Sequence, residues 1–145
     1  MADSSRAVLS TGCSSGIGRA TALRLAKTGR PVYATARRVE TLEDLVAAGC
    51  RALPLDVTDA ASCEAAVAEV EREHGAVGAL VNNAGYGGRA LFEQFSEESI
   101  YAMYETNVFG LMRVSRAVLP IMRQQKGGTI IIKIPGLVWK NWMLQ

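Results

Sequence analysis

No apolar run among the 145 residues approaches the roughly 18 needed to span a bilayer. The first residues carry no signal-peptide pattern, so no membrane span is expected. Histidine occurs once and cysteine three times. Cys13, Cys50 and Cys63 are odd in number and show no metal-ligand spacing, which points to reduced thiols in a cytosol and to no metal site. A formal net charge of +2, spread along the chain, leaves no footprint for a nucleic-acid partner. Repeats, low-complexity tracts and interdomain linkers are lacking as well. What remains is the composition of an ordinary globular domain, 49% hydrophobic and 21% charged, with enough chain to bury a core.

What is present starts with a glycine-rich stretch, Thr11-Gly12-Cys13-Ser14-Ser15-Gly16-Ile17-Gly18. It follows a β-type run over 6–10 and opens a helical run from Ile17 to Thr28. A helix N-terminus carries unpartnered N–H groups and the positive end of the helix dipole, so this turn suits a phosphate. Gly12 would make the tight turn, Gly16 the close approach and Gly18 the contact between helix and sheet. Gly29 and Pro31 end the helix. Residues 32–36 read as a strand buried on both faces, with Arg37 and Arg38 behind it. An acidic residue there would suit the free ribose of NAD, whereas Arg37 offers a fork of donors matched to a 2′-phosphate, so NADP is expected in preference to NAD.

Residues 39–48 read as a short amphipathic helix with Leu42, Leu45 and Val46 facing inward. Pro54 makes the third strand, over 51–55, an edge strand. On its own spacing Asp56, with Val57 after it, is an ordinary strand-to-helix loop residue. Thr58 or Asp59 caps a helix to about Glu73 whose buried stripe is Cys63, Ala66, Val67 and Val70. His74 closes that helix beside Gly75, facing the helix C-terminus and solvent, with no cluster of partners to make it a ligand. Residues 77–81 form a fourth strand running into Asn82-Asn83-Ala84-Gly85, where Asn side chains can bond neighbouring backbone and Gly85 keeps the floor low. Ser96 caps a long helical region to about Gln125, with one apolar face from Ile100 through Met103, Tyr104, Val108, Leu111, Val114 and Val118 to Met122. Asn107 lies within that apolar pattern and, if buried, needs partners. A fifth strand covers 129–132.

Three spaced motifs, T-G-x-x-x-G-I-G at 11–18, N-N-A-G at 82–85 and T-N-x-x-G at 106–110, together resemble the short-chain dehydrogenase/reductase family from Arg6 to about Ile132. The second and third argue against other dinucleotide folds such as epimerases or methyltransferases. The resemblance implies a Rossmann-type, doubly wound parallel α/β sheet of order 3-2-1-4-5. It also implies a dinucleotide-binding domain over 1–132 and hydride transfer between NADP(H) and an alcohol or ketone. Its cofactor-binding residues would be Gly12, Ser14, Ser15, Gly16, Ile17, Gly18, Arg37, Asp56, Val57, Asn83, Ala84 and Gly85. Asp56 would take the adenine amino group and the Val57 side chain the ring. Asn107 would disturb its helix locally and hold a water of the catalytic proton relay. The helix over 96–125 would build a homodimer, and Tyr86, Phe92 and Phe95 would line the site of a lipophilic alcohol or ketone.

The resemblance stops where the family places a serine and then a tyrosine four residues before a lysine. The four tyrosines, Tyr33, Tyr86, Tyr101 and Tyr104, are followed four positions on by Arg37, Ala90, Glu105 and Val108. Residues 133–145 form a divergent tail that holds both tryptophans of the chain. We therefore expect a shortened, frameshifted or spliced product that does not turn over by itself. It would be marginally stable and prone to associate through an open sheet edge. The second reading is a non-catalytic nucleotide-binding or partner-binding protein derived from the same family.

Overall fold

The computed structural model describes residues 5–88 and 90–133. Its centre is a parallel five-stranded sheet of β1 (Val8–Ser10), β2 (Val32–Ala36), β3 (Arg51–Pro54), β4 (Ala79–Asn82) and β5 (Thr129–Ile132), in the order β3-β2-β1-β4-β5. Leu9 lies opposite both Tyr33 and Leu80, which fixes the register of the three central strands. Pro54, which has no N–H to give to a ladder, ends the edge strand β3 as expected.

Alternation along β1 divides the core in two. Val8 points to the face covered by α1 (Gly16–Ala26) and α2 (Glu43–Ala47), where it meets Ala22, Val32, Ala34, Leu42, Leu45 and Val81. Ala7 and Leu9 point to the face covered by α3 (Ala60–His74) and α5 (Leu111–Gln124), among Val67, Val70, Leu80, Val114 and Val118. Each fully buried Leu or Val contributes about 1.5–3 kcal/mol relative to exposure. The expected stripe on α3 is buried in full. Asp59, rather than Thr58, caps that helix by accepting from the Ala61 amide.

Four details depart from expectation. Residues 39–42 form a 3-10 turn before α2, and Val46 is half exposed, because a two-part element of this length turns only Leu42 and Leu45 inward. β4 begins at Ala79, since the amides of Gly78 and Ala79 both bond the Ala7 carbonyl before the ladder starts. His74 does not simply face solvent: its Nε2 lies 3.0 Å from the Tyr33 hydroxyl, which also donates to Glu73 at 2.7 Å. Burial keeps that phenol above its ordinary pKa.

The fourth concerns the apolar face of the long helix; the local disturbance that the resemblance implied at Asn107 is itself present. The helix is α4 (Glu97–Tyr104), a six-residue π-helical turn (Glu105–Gly110) and α5 in succession. Ser96 caps it through the Ser99 amide, as expected. The π-turn inserts one residue into the helical repeat, so the apolar face is not continuous. Val114, Val118 and Met122 are buried, but nothing on α4 is.

Candidate functional site

The C-terminal ends of β1 and β4 are joined by one side chain. The Thr11 hydroxyl, buried, accepts from the amides of Asn83 (3.0 Å) and Ala84 (2.9 Å). It also reaches the Val81 carbonyl at 3.4 Å. Asn83 returns the tie, its Nδ2 donating to the carbonyls of Thr11 and Gly12 at 3.0 Å each. The Cys13 amide bonds the Thr35 carbonyl of β2 at 2.8 Å, so three strands converge on the turn. Burial pushes the Cys13 thiol above its ordinary pKa, which makes it a packing group rather than a nucleophile.

The glycines follow from this closeness. Gly12 is at φ +68°, and a Cβ there would stand 2.7 Å from Ala84 Cα. A Cβ on Gly18 would strike the Asn83 amide and the Gly12 carbonyl, so this glycine admits the β4 loop. Gly16, at φ +58°, faces open space. Ser15 precedes α1 without capping it, which leaves the first-turn amides with no side-chain acceptor. Ser14 is exposed, and Ile17 presents 61% of its surface at the helix mouth.

Beside this turn, Arg37 is exposed after β2, and its charge acts on Asp56, half-buried after β3. Burial raises the Asp56 pKa, yet the Thr58 amide and hydroxyl (2.9 and 2.8 Å) and then Arg37 outweigh it, so the carboxyl stays below its ordinary value. The Val57 side chain is turned into the core against Gly110. Ala84 is half-buried and Gly85 exposed on the other side. Asn107 lies in the π-turn and is half-buried rather than buried, because that turn sits at the rim of the sheet. Its amide is nonetheless engaged on both atoms, with Oδ1 accepting from the Tyr86 N–H (3.0 Å) and Nδ2 donating to the Tyr86 carbonyl (2.7 Å).

The structure thus gathers the glycine turn, the segments after β2 and β3, and the Asn83–Gly85 loop at one end of the sheet, where strand order reverses between β1 and β4. That is where open α/β sheets bind ligands. A dinucleotide fits two observations. The α1 N-terminus is uncapped, and the Oδ1 of Asn83 is buried with no partner among the described residues. Sequence reasoning did not single out the Thr11 hydroxyl as a clamp, nor Ser115, which accepts from the Asn82 amide at 3.0 Å. Thr11 stood inside the quoted motif, but its partners lie 70 and more residues away. No group of metal-binding side chains occurs among the described residues. The divergent-tail reading of 133–145 falls, apart from Lys133, outside them.

The family model described as short chain dehydrogenase matches residues 6–134. The chain is 39% identical over 124 residues to the 3-ketodihydrosphingosine reductase of Bacteroides thetaiotaomicron, covering 86% of this chain and 45% of that protein. A short-chain dehydrogenase from Streptomyces avermitilis superposes with a TM-score of 0.82 at 42% identity, over 90% of this chain and 49% of the other. An alcohol dehydrogenase from Thermococcus sibiricus, solved with 5-hydroxy-NADP, gives 0.79 at 32% identity, over 87% and 57%. The chain spans about half the length of the curated relatives it matches.

Proposed function

This chain belongs to the short-chain dehydrogenase family, and from that premise we propose that it is the NADP-binding portion of an oxidoreductase interconverting an alcohol and a ketone. Bound NADP(H) would supply the hydride chemistry. The α1 N-terminus with Gly12, Ser14, Ser15, Gly16, Ile17 and Gly18 holds its pyrophosphate. Arg37 takes the 2′-phosphate, and Asp56 with Val57 the adenine. The Val57 side chain faces the core, so its main chain would meet the ring. Asn83, Ala84 and Gly85 floor the ribose and nicotinamide, and Asn107 sets the Tyr86 segment beside them.

The observation that carries the reading is the hydrogen-bonded tie of Thr11 and Asn83. It fixes the glycine turn at the crevice while leaving the α1 amides uncapped. A lipophilic ketone or alcohol is the inferred substrate class, supported by the exposed Tyr86, Leu91 and Phe92 and by the keto-lipid reductase relative. Buried free thiols suit a cytosolic setting. The exposed Tyr101, Tyr104 and Met112 suit a homodimer on the 96–125 helix. The second reading is a non-catalytic nucleotide-binding or partner-binding protein of the same family, and cofactor binding by this fold is common to both.

Titration with NADPH and NADH tests the proposal. NADPH should bind tighter, and Arg37→Asp should weaken it by about 10- to 100-fold, the weight of a hydrogen-bonded charge pair, with NADH little changed. Tighter binding of NADH by the unmodified chain would sink the phosphate assignment.

A further inference from the structure

We propose that Arg113 is a positioning residue that braces the adenine side of the cleft, and that Glu105 locks it there across the π-turn. This rests on the cofactor reading above. Arg113 Nη1 donates to the Val57 carbonyl at 3.3 Å. The other arm of its guanidinium pairs with Glu105 Oε1 at 2.5 Å. The two residues flank the turn, one at its first position and one just inside α5.

The turn itself also touches Val57. Gly110 is buried against it, and a Cβ there would come within 2.7 Å of Val57 Cγ2. Midway along, the turn holds Tyr86 through Asn107. One six-residue turn therefore grips both the segment after β3 and the segment after β4. The first would meet the adenine and the second the nicotinamide half. Arg113 is suited to this because its planar fork serves two acceptors at once, and the Glu105 carboxylate keeps it from swinging into solvent. Both side chains are partly exposed, 30% and 41%. The effect expected is thus one of geometry rather than of large pair energy.

The test compares NADPH with 2′,5′-ADP, which carries only the phosphorylated adenosine half. Arg113→Ala should weaken both by the same factor, about 3- to 10-fold, as for one lost hydrogen bond. Arg113→Lys should recover part of the loss, and Glu105→Gln should fall between. Unchanged affinities measured well below the melting temperature, with only that temperature lowered, would reduce Arg113 to a structural role and overturn the proposal. Should the parent chain bind neither ligand, the cofactor reading itself fails. The brace is then judged by amide hydrogen exchange at 57–59 in the free chain. Faster exchange in Arg113→Ala, or in Glu105→Gln if the first variant does not fold, sustains it; unchanged exchange overturns it.

Discussion

The crossing point of β1 and β4 and the flank formed by α4 and β5 lie on one sheet and are held in opposite ways. At the crossing point small residues are locked by bonds between segments far apart in sequence, from Thr11 and Asn83. At the flank large apolar residues stand open: Tyr101 is 70% exposed, and Ile131 and Ile132 about half. An open groove between α5 and β5, lined by Phe109, Met112, Ile130 and Ile132, continues that surface. Position is specified where groups must meet in one geometry. Where apolar area is merely exposed, association is left to whatever covers it.

Three substitutions would break or sharpen this contrast. Thr11→Val keeps the shape and removes the acceptor, leaving the buried amide of Asn83 and the half-buried amide of Ala84 unpaired. A loss of about 2–4 kcal/mol is expected in urea unfolding. A loss near zero would make the crossing point no tighter than the flank.

Asp56→Asn should act less, by under about 1 kcal/mol for a partly exposed group, and only away from acid. The folded carboxyl sits below its ordinary pKa of 3.8. Its contribution is therefore present above that value and lost as pH falls through the folded pKa. Melting curves of parent and variant should differ most near neutrality and converge in acid; a gap that widens in acid would reverse the assignment. Ile131→Lys on β5 should change monomer stability least, within about 0.5 kcal/mol. It should also reduce self-association in sedimentation at micromolar concentration, since lysine blunts a strand edge. Association that persists would shift the sticky surface to α4 and α5.

Much of this was legible in sequence. β2 and β5 start and stop where their apolar runs do, and the α3 stripe is buried residue for residue. The glycine turn and N-N-A-G announce themselves as a pair. What stayed hidden depends on partners. Periodicity placed Ile100, Met103 and Tyr104 on the face of Val114 without registering that the π-turn interrupts it. Val46 had an apolar side chain at helical spacing, but the 3-10 start of its element turned it outward. The Thr11 clamp and the Arg113 brace join residues 70 and 56 positions apart, a distance over which no local pattern carries information.

The central place of β1 in the sheet also dictates an order of assembly. β1 can pair with β2, its near neighbour in sequence, as soon as both are made. Its other neighbour begins only at Ala79, so one of its two edges waits until α2, β3 and α3 have been made. Contacts of such long range are slow to form. The glycine turn, which hangs on that late partner through Asn83, would be among the last parts of the molecule to take shape.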